Sequence, residues 1–472
     1  METFDVVVLG GGTGGYVAAI RGAQLGLRVA VVEQGKLGGT CLHQGCIPSK
    51  ALLRSAELFA TVKEGDVFGI ATSDLRFDLG KAMARKAQIV EQLHKGIQYL
   101  MKKNHITVIE GYGRIMGPSI FSPMAGAVRV ERPDGDSEIL SPKATIIATG
   151  SRPRVLPGLP FDGVRVLSSD EALQLTTLPA SAIIVGGGAI GVEWASMLAD
   201  FGVQVTIVEA LPRILVQEDE EISAEMTRLL KKRKVAILTG AAIDPSSYRV
   251  EGNGIAIRVN KEGSEQVLTA EMMLVAIGRE PRIDDIGLEA TQIKIERGAI
   301  VVDATMRTAE KNIYAIGDVI GGMQLAHVAA HEGILAMEAI AGEHPDPLNY
   351  ANIARCTYGR PEVASVGLTE AQAREQGYTV KTAKFPFKAI GKALVYGEAD
   401  GFVKIIGDQE TNDLLGVHMV GPHVTDLISE AALAHVLDAA PFEIGQTIHP
   451  HPTLTEALGE AALALDGRAI HS

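Results

Sequence analysis

Phe4-Asp5-Val6-Val7-Val8-Leu9-Gly10-Gly11-Gly12-Thr13-Gly14-Gly15 is the stretch that decides the fold. A short β-branched run passes directly into a glycine turn. A helix-compatible segment follows through Leu25, and a second apolar run, Val29–Val32, ends at Glu33. Strand, helix and strand in that order make a βαβ unit. Gly10, Gly12 and Gly15 have GxGxxG spacing. The first glycine of such a turn permits the bend, the second lets the backbone approach a pyrophosphate, and the third lets the helix pack on the strand. The helix N-terminus then faces the phosphates, and the acid ending the second strand bonds the ribose hydroxyls. One such turn is weak evidence, because glycine turns also arise for packing alone.

The pattern repeats. Ala182–Val185 reads as a strand, Gly186–Gly191 as the glycine turn, Val192–Phe201 as a helix, and Val203–Val208 as a strand ending in Glu209. Gly10, Gly12, Gly15 and Glu33 each lie 176 residues before Gly186, Gly188, Gly191 and Glu209, with Ala189 and Ile190 inside the second turn. A gapless duplication of this kind predicts two related binding modules. A carboxylate at Glu209 suits a free 2′-hydroxyl and repels a 2′-phosphate, which favours NAD over NADP; Arg213, four residues on, blurs that preference slightly.

Outward from these units, 472 residues are too many for one core and predict three or four domains. The 52 glycines and 46% hydrophobic content suit an α/β protein, and with only 4% aromatics the core must be built from Ala, Val, Ile and Leu. A net charge of −13 argues against nucleic acid as a partner, for which a basic face is expected. No stretch approaches the ~20 apolar residues that span a bilayer, and no signal peptide precedes Phe4, so the expectation is a soluble, cytoplasmic protein. Lys81–Lys103 is helix-patterned through Ile89, Leu93, Ile97 and Leu100; Thr145–Ala148, Leu274–Ile277 and Ile313–Ile316 read as buried strands, and Leu325–Ala341 as a helix. His344–Tyr350 reads as a linker, beyond which short strands such as Phe402–Ile406 and Leu415–Val420 alternate with helices.

Only three cysteines are present, Cys41, Cys46 and Cys356. In a reducing compartment a close pair is redox-active or metal-binding more often than structural, and no further ligands lie at metal spacing, so no metal is expected. Residues five apart face different sides of a regular helix, so bridging Cys41 and Cys46 needs a distorted turn, which Gly45 permits. Pro48 suits a first helical turn. A thiol near a helix N-terminus is expected to have a lowered pKa and more of the nucleophilic thiolate.

The segment Gly38-Gly39-Thr40-Cys41-Leu42-His43-Gln44-Gly45-Cys46-Ile47-Pro48-Ser49-Lys50 resembles the redox-disulfide signature of the pyridine nucleotide–disulfide oxidoreductases, and among them the branch that oxidises dihydrolipoamide. The resemblance covers essentially the whole chain. It includes Ala148-Thr149-Gly150-Ser151, Gly278-Arg279-Glu280-Pro281, Ala315-Ile316-Gly317-Asp318, Gln324-Leu325-Ala326-His327 and His449-Pro450-His451-Pro452-Thr453-Leu454-Thr455-Glu456. It implies an α/β fold of two Rossmann-like dinucleotide-binding domains, FAD at 1–150 and NAD at 151–278, then a central domain at 279–347 and a C-terminal α+β interface domain at 348–472. FAD would be held by the first glycine turn with Glu33, Gly39, Thr40, Lys50, Gly113, Thr149, Gly150, Ser151, Asp318 and Gln324, Leu325, Ala326 and His327. NAD would be held by the second turn with Glu193, Glu209 and Gly278. Lys50 would sit near the flavin, paired with Glu193; a buried pair makes sense because either charge alone is costly there.

Thiol–disulfide exchange needs a base, and imidazole has a suitable pKa. Spacing alone does not choose between His449 and His451, with Glu456 able to orient either. The resemblance assigns the base to His451, oriented by Glu456 and contributed by the partner of a homodimer; His43 is expected merely to line the loop. The implied reaction is oxidation of protein-bound dihydrolipoamide, with Cys41 as the interchange thiol and Cys46 beside the flavin. No lipoyl domain precedes Met1, so a lipoyl-bearing protein is the expected partner: the acyltransferase of a 2-oxo acid dehydrogenase complex or the glycine-cleavage carrier. Another FAD-dependent disulfide reductase is the alternative within the superfamily. A non-catalytic flavin-binding scaffold is the alternative from a different class.

Overall fold

The computed structural model describes residues 4–118 and 125–471. They fall into two compact units. The first comprises residues 4–51, 80–118, 125–154 and 278–348, and the second residues 52–79, 155–277 and 349–471.

In the first unit, strand β1 (Val6–Leu9) leads through the glycine turn to helix α1 (Thr13–Gln24) and strand β2 (Val29–Glu33). β1 is fully buried and apolar on both faces, as a central parallel strand must be when helices cover both sides of its sheet. The five-stranded parallel sheet runs Ile313–Ala315, Ala144–Ile147, β1, β2 and Thr107–Glu110. Its outer strand thus comes from a segment about 300 residues downstream of the first, so this unit is discontinuous in sequence. Helix Ala326–Ala341 packs on α1 at backbone range: a Cβ on Gly333 would lie 2.7 Å from Gly14 O. A three-stranded antiparallel sheet, Tyr112–Met116, Ala127–Glu131 and Ser137–Leu140, is appended.

The second unit repeats the design. Its parallel sheet runs Ala236–Thr239, Gln204–Glu209, Ser181–Val185, Met272–Val275 and Val166–Ser168. The predicted duplication holds at the level of single hydrogen bonds. Gly10 N donates to Val32 O at 2.9 Å and Ala148 N to Leu9 O at 2.8 Å; Gly186 N donates to Val208 O at 2.8 Å and Ala276 N to Val185 O at 2.7 Å.

The same unit carries an antiparallel five-stranded sheet in the order Arg355–Thr357, Glu362–Gly367, Leu414–Gly421, Phe402–Asp408 and Val380–Pro386. Helices Val424–Val436 and Glu456–Ala464 share its core through Ile428, Ala431, Leu458 and Ala461. A buried cation joins this sheet to the second parallel module. Lys404 is 1% exposed, and its Nζ meets Asp219 at 2.9 Å and Glu221 and Glu370 at 2.8 Å. Among the described residues no helix is long and apolar enough to cross a membrane.

Candidate functional site

Most of the residues expected to hold FAD gather at the carboxyl ends of the first parallel sheet, where ligands of open α/β sheets bind. Gly10, Gly12 and Gly15 follow β1, and Thr149, Gly150 and Ser151 follow Ala144–Ile147. Asp318 follows Ile313–Ala315. Gln324 and Leu325 precede the helix that Ala326 and His327 open, and α1 holds that helix close.

The three glycines have three different physical reasons. Gly10 has φ +103°, and a Cβ on Gly15 would collide with Gly10 O. A Cβ on Gly12 would find only Gly39 Cα, at 3.8 Å. In the second module Gly186 and Gly191 repeat the first and third roles, and a Cβ on Gly188 would meet nothing within 4 Å. The space that a side chain at the middle glycine would fill is therefore free, as a pyrophosphate needs, and each middle glycine caps a helix N-terminus. The residues fit a dinucleotide in both modules.

The acids that end the second strands are fixed by the turns they serve. Glu33 accepts from Gly11 N and Gly35 N, both at 2.7 Å. Glu209 accepts from Gly187 N at 2.5 Å and Leu211 N at 2.8 Å. An ionised carboxylate has about four acceptor positions, so lone pairs remain for ribose hydroxyls. Arg213 is engaged within its own loop, donating to Leu215 O at 3.1 Å and Val216 O at 2.8 Å. Gly278 lies beyond Met272–Val275 with φ +106° and open space at its Cα. Gly113 packs against Leu9 and Val32, leaving no room for a Cβ.

Asp318 accepts a short hydrogen bond from Ser151 Oγ. Arg279 Nε donates to that hydroxyl at 2.8 Å, and Glu332 accepts from Gly317 N at 2.7 Å. Arg279 and Glu332 thus fix the Asp318 loop, a role with no local signature in the sequence.

The cysteine segment sits directly on the first glycine turn. Gly38 N donates to Gly11 O at 2.8 Å, and a Cβ on Gly39 would come within 2.6 Å of Gly12 Cα. Helix α2 (Gly39–Gln44) contains Thr40 and Cys41, Gly45 breaks it with φ −148° and ψ −116°, and helix α3 (Cys46–Lys63) starts on the second cysteine. That break is the distorted turn the spacing required, and Pro48 falls in the first turn of α3. Both cysteines are half-buried thiols.

The expected lowering of a thiol pKa is not found at Cys41. Its hydrogen bond to Cys46 and its burial push it well above the ordinary thiol range, against opposing contributions from Thr13 and Lys50. Two thiols sharing a hydrogen bond titrate as a pair. Thr13, the first residue of α1, bonds the Cys41 thiol and so ties the pair to the fingerprint. His43 lines the loop: its Nε2 and His94 Nδ1 both reach Leu37 O, at 2.9 and 3.0 Å.

In the second unit the structure separates the two histidines that spacing alone could not. His451 is 77% exposed, with Nδ1 2.8 Å from Glu456 Oε1, while Glu456 Oε2 accepts from Thr453 N at 2.9 Å. Burial works against the Glu456 carboxylate, but the His451 and Thr453 hydrogen bonds outweigh it and hold the carboxyl below its usual pKa. His449 is only 9% exposed, and its Nε2 lies 2.8 Å from Glu430 Oε1. Glu456 therefore hydrogen-bonds the His451 ring, and Glu430, which sequence reasoning missed, hydrogen-bonds that of His449. Glu193 is buried on helix Ala189–Asp200 and accepts from Tyr358 N at 2.9 Å. Cys356 is half-buried, with Sγ 3.9 Å from Thr425 O.

Residues 4–333 match the pyridine nucleotide-disulphide oxidoreductase family, and residues 353–462 match that family's dimerisation domain. The chain belongs to this family. Among its pyridine nucleotide-disulphide oxidoreductase relatives, the dihydrolipoyl dehydrogenase of Bacillus subtilis is 61% identical over 469 residues, 99% of each chain. That of Zymomonas mobilis is 46% identical over 100% of this chain and 99% of its own. Of solved structures, LpdA from Mycobacterium tuberculosis superposes with a TM-score of 0.90 at 27% identity, covering 98% of this chain and 100% of that one. The HOCl-induced flavoprotein disulfide reductase RclA of Escherichia coli, a Cu(II) complex, does so at 0.86 and 28%, with coverage of 98% and 100%.

Proposed function

We propose that this oxidoreductase oxidises dihydrolipoamide on a lipoyl-bearing protein and reduces NAD, using FAD and a Cys41–Cys46 disulfide, and that it works as a homodimer in the cytoplasm. The observation that carries the proposal is the seat of the cysteine pair: Gly39 lies against Gly12, and Thr13 bonds Cys41, so the redox pair is built onto the first dinucleotide turn. The end-to-end likeness to a dihydrolipoyl dehydrogenase supports the choice of substrate. FAD, when bound, relays two electrons between the dithiol and the nicotinamide.

The protein residues act as follows. With Nδ1 held by Glu456, His451 presents Nε2 as the acceptor for a thiol proton of dihydrolipoamide. The thiolate so formed attacks Cys41 Sγ in the disulfide, and Cys46 leaves as a thiolate. The substrate's second thiol displaces Cys41, its proton passing to the departing Cys41 sulfur, which gives lipoamide and the reduced pair. The hydrogen bond between Cys41 and Cys46 then holds the proton that remains on the reduced pair. The Lys50 charge favours a thiolate at Cys41, and the resemblance assigns Glu193 to the nicotinamide side.

The His451 side chain is 77% exposed, and Leu433, Val436, Leu437, Phe442 and Ile448 are exposed apolar side chains on and beside the helices of the same domain. A second copy covering that face would bring its His451 to the cysteines of the first. The domain reading follows: FAD at 1–150, NAD at 151–278, a central domain at 279–347 and the interface domain at 348–472. Anaerobic titration of the holoenzyme with dihydrolipoamide tests the proposal. A long-wavelength thiolate–flavin charge-transfer band should appear with about one equivalent, which reduces the disulfide, and should vanish on addition of NAD. A flavin that does not respond, or a Cys46→Ser protein with wild-type turnover, refutes it.

A further inference from the structure

Helix Glu456–Ala464 carries glycine at position 459, among good helix formers, where glycine costs about 1 kcal/mol relative to alanine. The reason is steric. A Cβ on Gly459 would lie 2.8 Å from His449 Nδ1 and 2.9 Å from its Cε1. The His449 ring thus rests on the helix backbone, with its Nε2 against Glu430 of helix Val424–Val436.

The same helix holds the far side of the loop. Glu456, in its first turn, bonds His451 Nδ1 and Thr453 N, and Thr453 Oγ1 donates to Pro450 O at 2.7 Å. On the near side the fixed point is His449, separated from His451 by Pro450 alone. An imidazole that is 77% exposed has little packing to hold it, so its placement depends on these two anchors. Glu430 also shares a helical face, at i+3 and i+7, with Leu433 and Leu437, which are 57% and 68% exposed.

We infer that His449 and Glu430 form a positioning pair that sets the chain entering His451 and ties it to the side of helix Val424–Val436 that a second copy covers. Assembly of the dimer and placement of the base are then one event. This role rests on the reading of His451 as the proton acceptor in a two-subunit site. A group misplaced by about 1 Å loses on the order of 10²-fold in rate. A loosened His449 anchor therefore acts on kcat for the dithiol and spares the binding of NAD.

The test uses flavin-loaded Glu430→Ala, Glu430→Gln, His449→Gln and Gly459→Ala, the last of which removes no polar group and only crowds the ring. Turnover with dihydrolipoamide is compared with NADH-to-ferricyanide turnover, which bypasses the dithiol half-reaction. Dimer content is checked by sedimentation. Glu430→Ala, His449→Gln and Gly459→Ala should lower kcat for dihydrolipoamide roughly 10- to 100-fold, shift the acid limb of kcat/KM and keep the ferricyanide rate. Glu430→Gln, which retains an acceptor oxygen, should recover most of the loss. Wild-type kcat in Glu430→Ala and Gly459→Ala overturns the positioning role alone, as does an equal loss in both activities. A wild-type protein that does not oxidise dihydrolipoamide overturns the functional reading and this role with it.

Discussion

Replacing Gly188 by alanine should separate binding from folding, because the middle glycine of the second turn faces open space. Its φ of −75° and ψ of −175° are accessible to alanine, and the added Cβ meets nothing within 4 Å. The lost freedom of the unfolded chain favours the variant by ~0.4–1 kcal/mol. A less suitable residue at the helix N-cap costs a similar amount. The net change should stay within ~0.5 kcal/mol, a melting shift below about 2 °C. A dinucleotide approaching the same backbone meets the methyl and loses hydrogen bonds to charged phosphate, each worth ~1.5–3 kcal/mol. One lost bond corresponds to roughly a 10- to 150-fold rise in Kd. The assays are NAD binding by calorimetry on the flavin-loaded protein and a thermal melt of the same sample. Gly191→Ala is the control: its Cβ collides with Gly186 O, so the helix must move and stability should fall by ~1–3 kcal/mol or more. An unchanged Kd for NAD in Gly188→Ala, or a melting loss equal to that of Gly191→Ala, would refute the reading of the middle glycine as a phosphate approach.

Three further outcomes follow from side chains. Lys404→Met leaves the buried Asp219 without its cation, while Glu221 and Glu370 keep Lys384 and Arg374, and should cost ~3–5 kcal/mol near neutral pH by denaturant titration. Asp219, Glu221 and Glu370 are all held below their ordinary pKa values of 3.8, 4.5 and 4.5, so their stabilisation is present above those values and lost as pH falls through the depressed ones. The gap between Lys404→Met and wild type should therefore close in acid, and a gap independent of pH refutes the ion cluster as its cause. Glu430 raises the pKa of His449 above its ordinary 6.5, so the pair stabilises fully below that value and progressively less as pH rises through the raised one. The melting difference between wild type and His449→Gln should shrink correspondingly on the alkaline side. Glu209→Gln removes the charge that repels a 2′-phosphate, and selectivity for NAD over NADP, measured as the ratio of kcat/KM, should fall at least about 10-fold.

The duplicated βαβ units were legible because their signal is local: glycine spacing, a flanking buried strand and a terminal acid all lie within one unit. The cysteine pair was legible for the same reason, with Gly45 marking the break between α2 and α3. The outer strand of the first sheet, Ile313–Ala315, read correctly as a buried strand but gave no sign of which sheet it joins, since partner choice is set by packing across 300 residues. The choice between His449 and His451 was illegible without the resemblance for a related reason. It depends on Glu430, nineteen residues upstream on another helix, and on a glycine whose purpose is visible only once the ring lies against it. The raised pKa of Cys41 also lay beyond sequence, because it depends on a hydrogen bond between the two thiols.

The two copies of one module differ in the chain that follows the second strand. In both copies a loop amide closes on the carbonyl of the glycine turn: Gly38 N on Gly11 O in the first, and Leu215 N on Gly187 O in the second, each at 2.8 Å. After Gly38 the first copy continues through a second glycine into α2, which packs against Gly12 and carries Cys41 to Thr13. After Leu215 the second copy leads away to helix Glu220–Lys232 and leaves Gly188 open. On the proposed reading the shared turn supplies phosphate affinity in both cases. On the same reading, the inserted cysteine helix makes the first copy the redox site, and its absence leaves the second free to exchange a diffusible nucleotide. Moving that function between copies would require transplanting Gly38–Lys50 together with a threonine at the first helical position, which the second copy fills with Ala189.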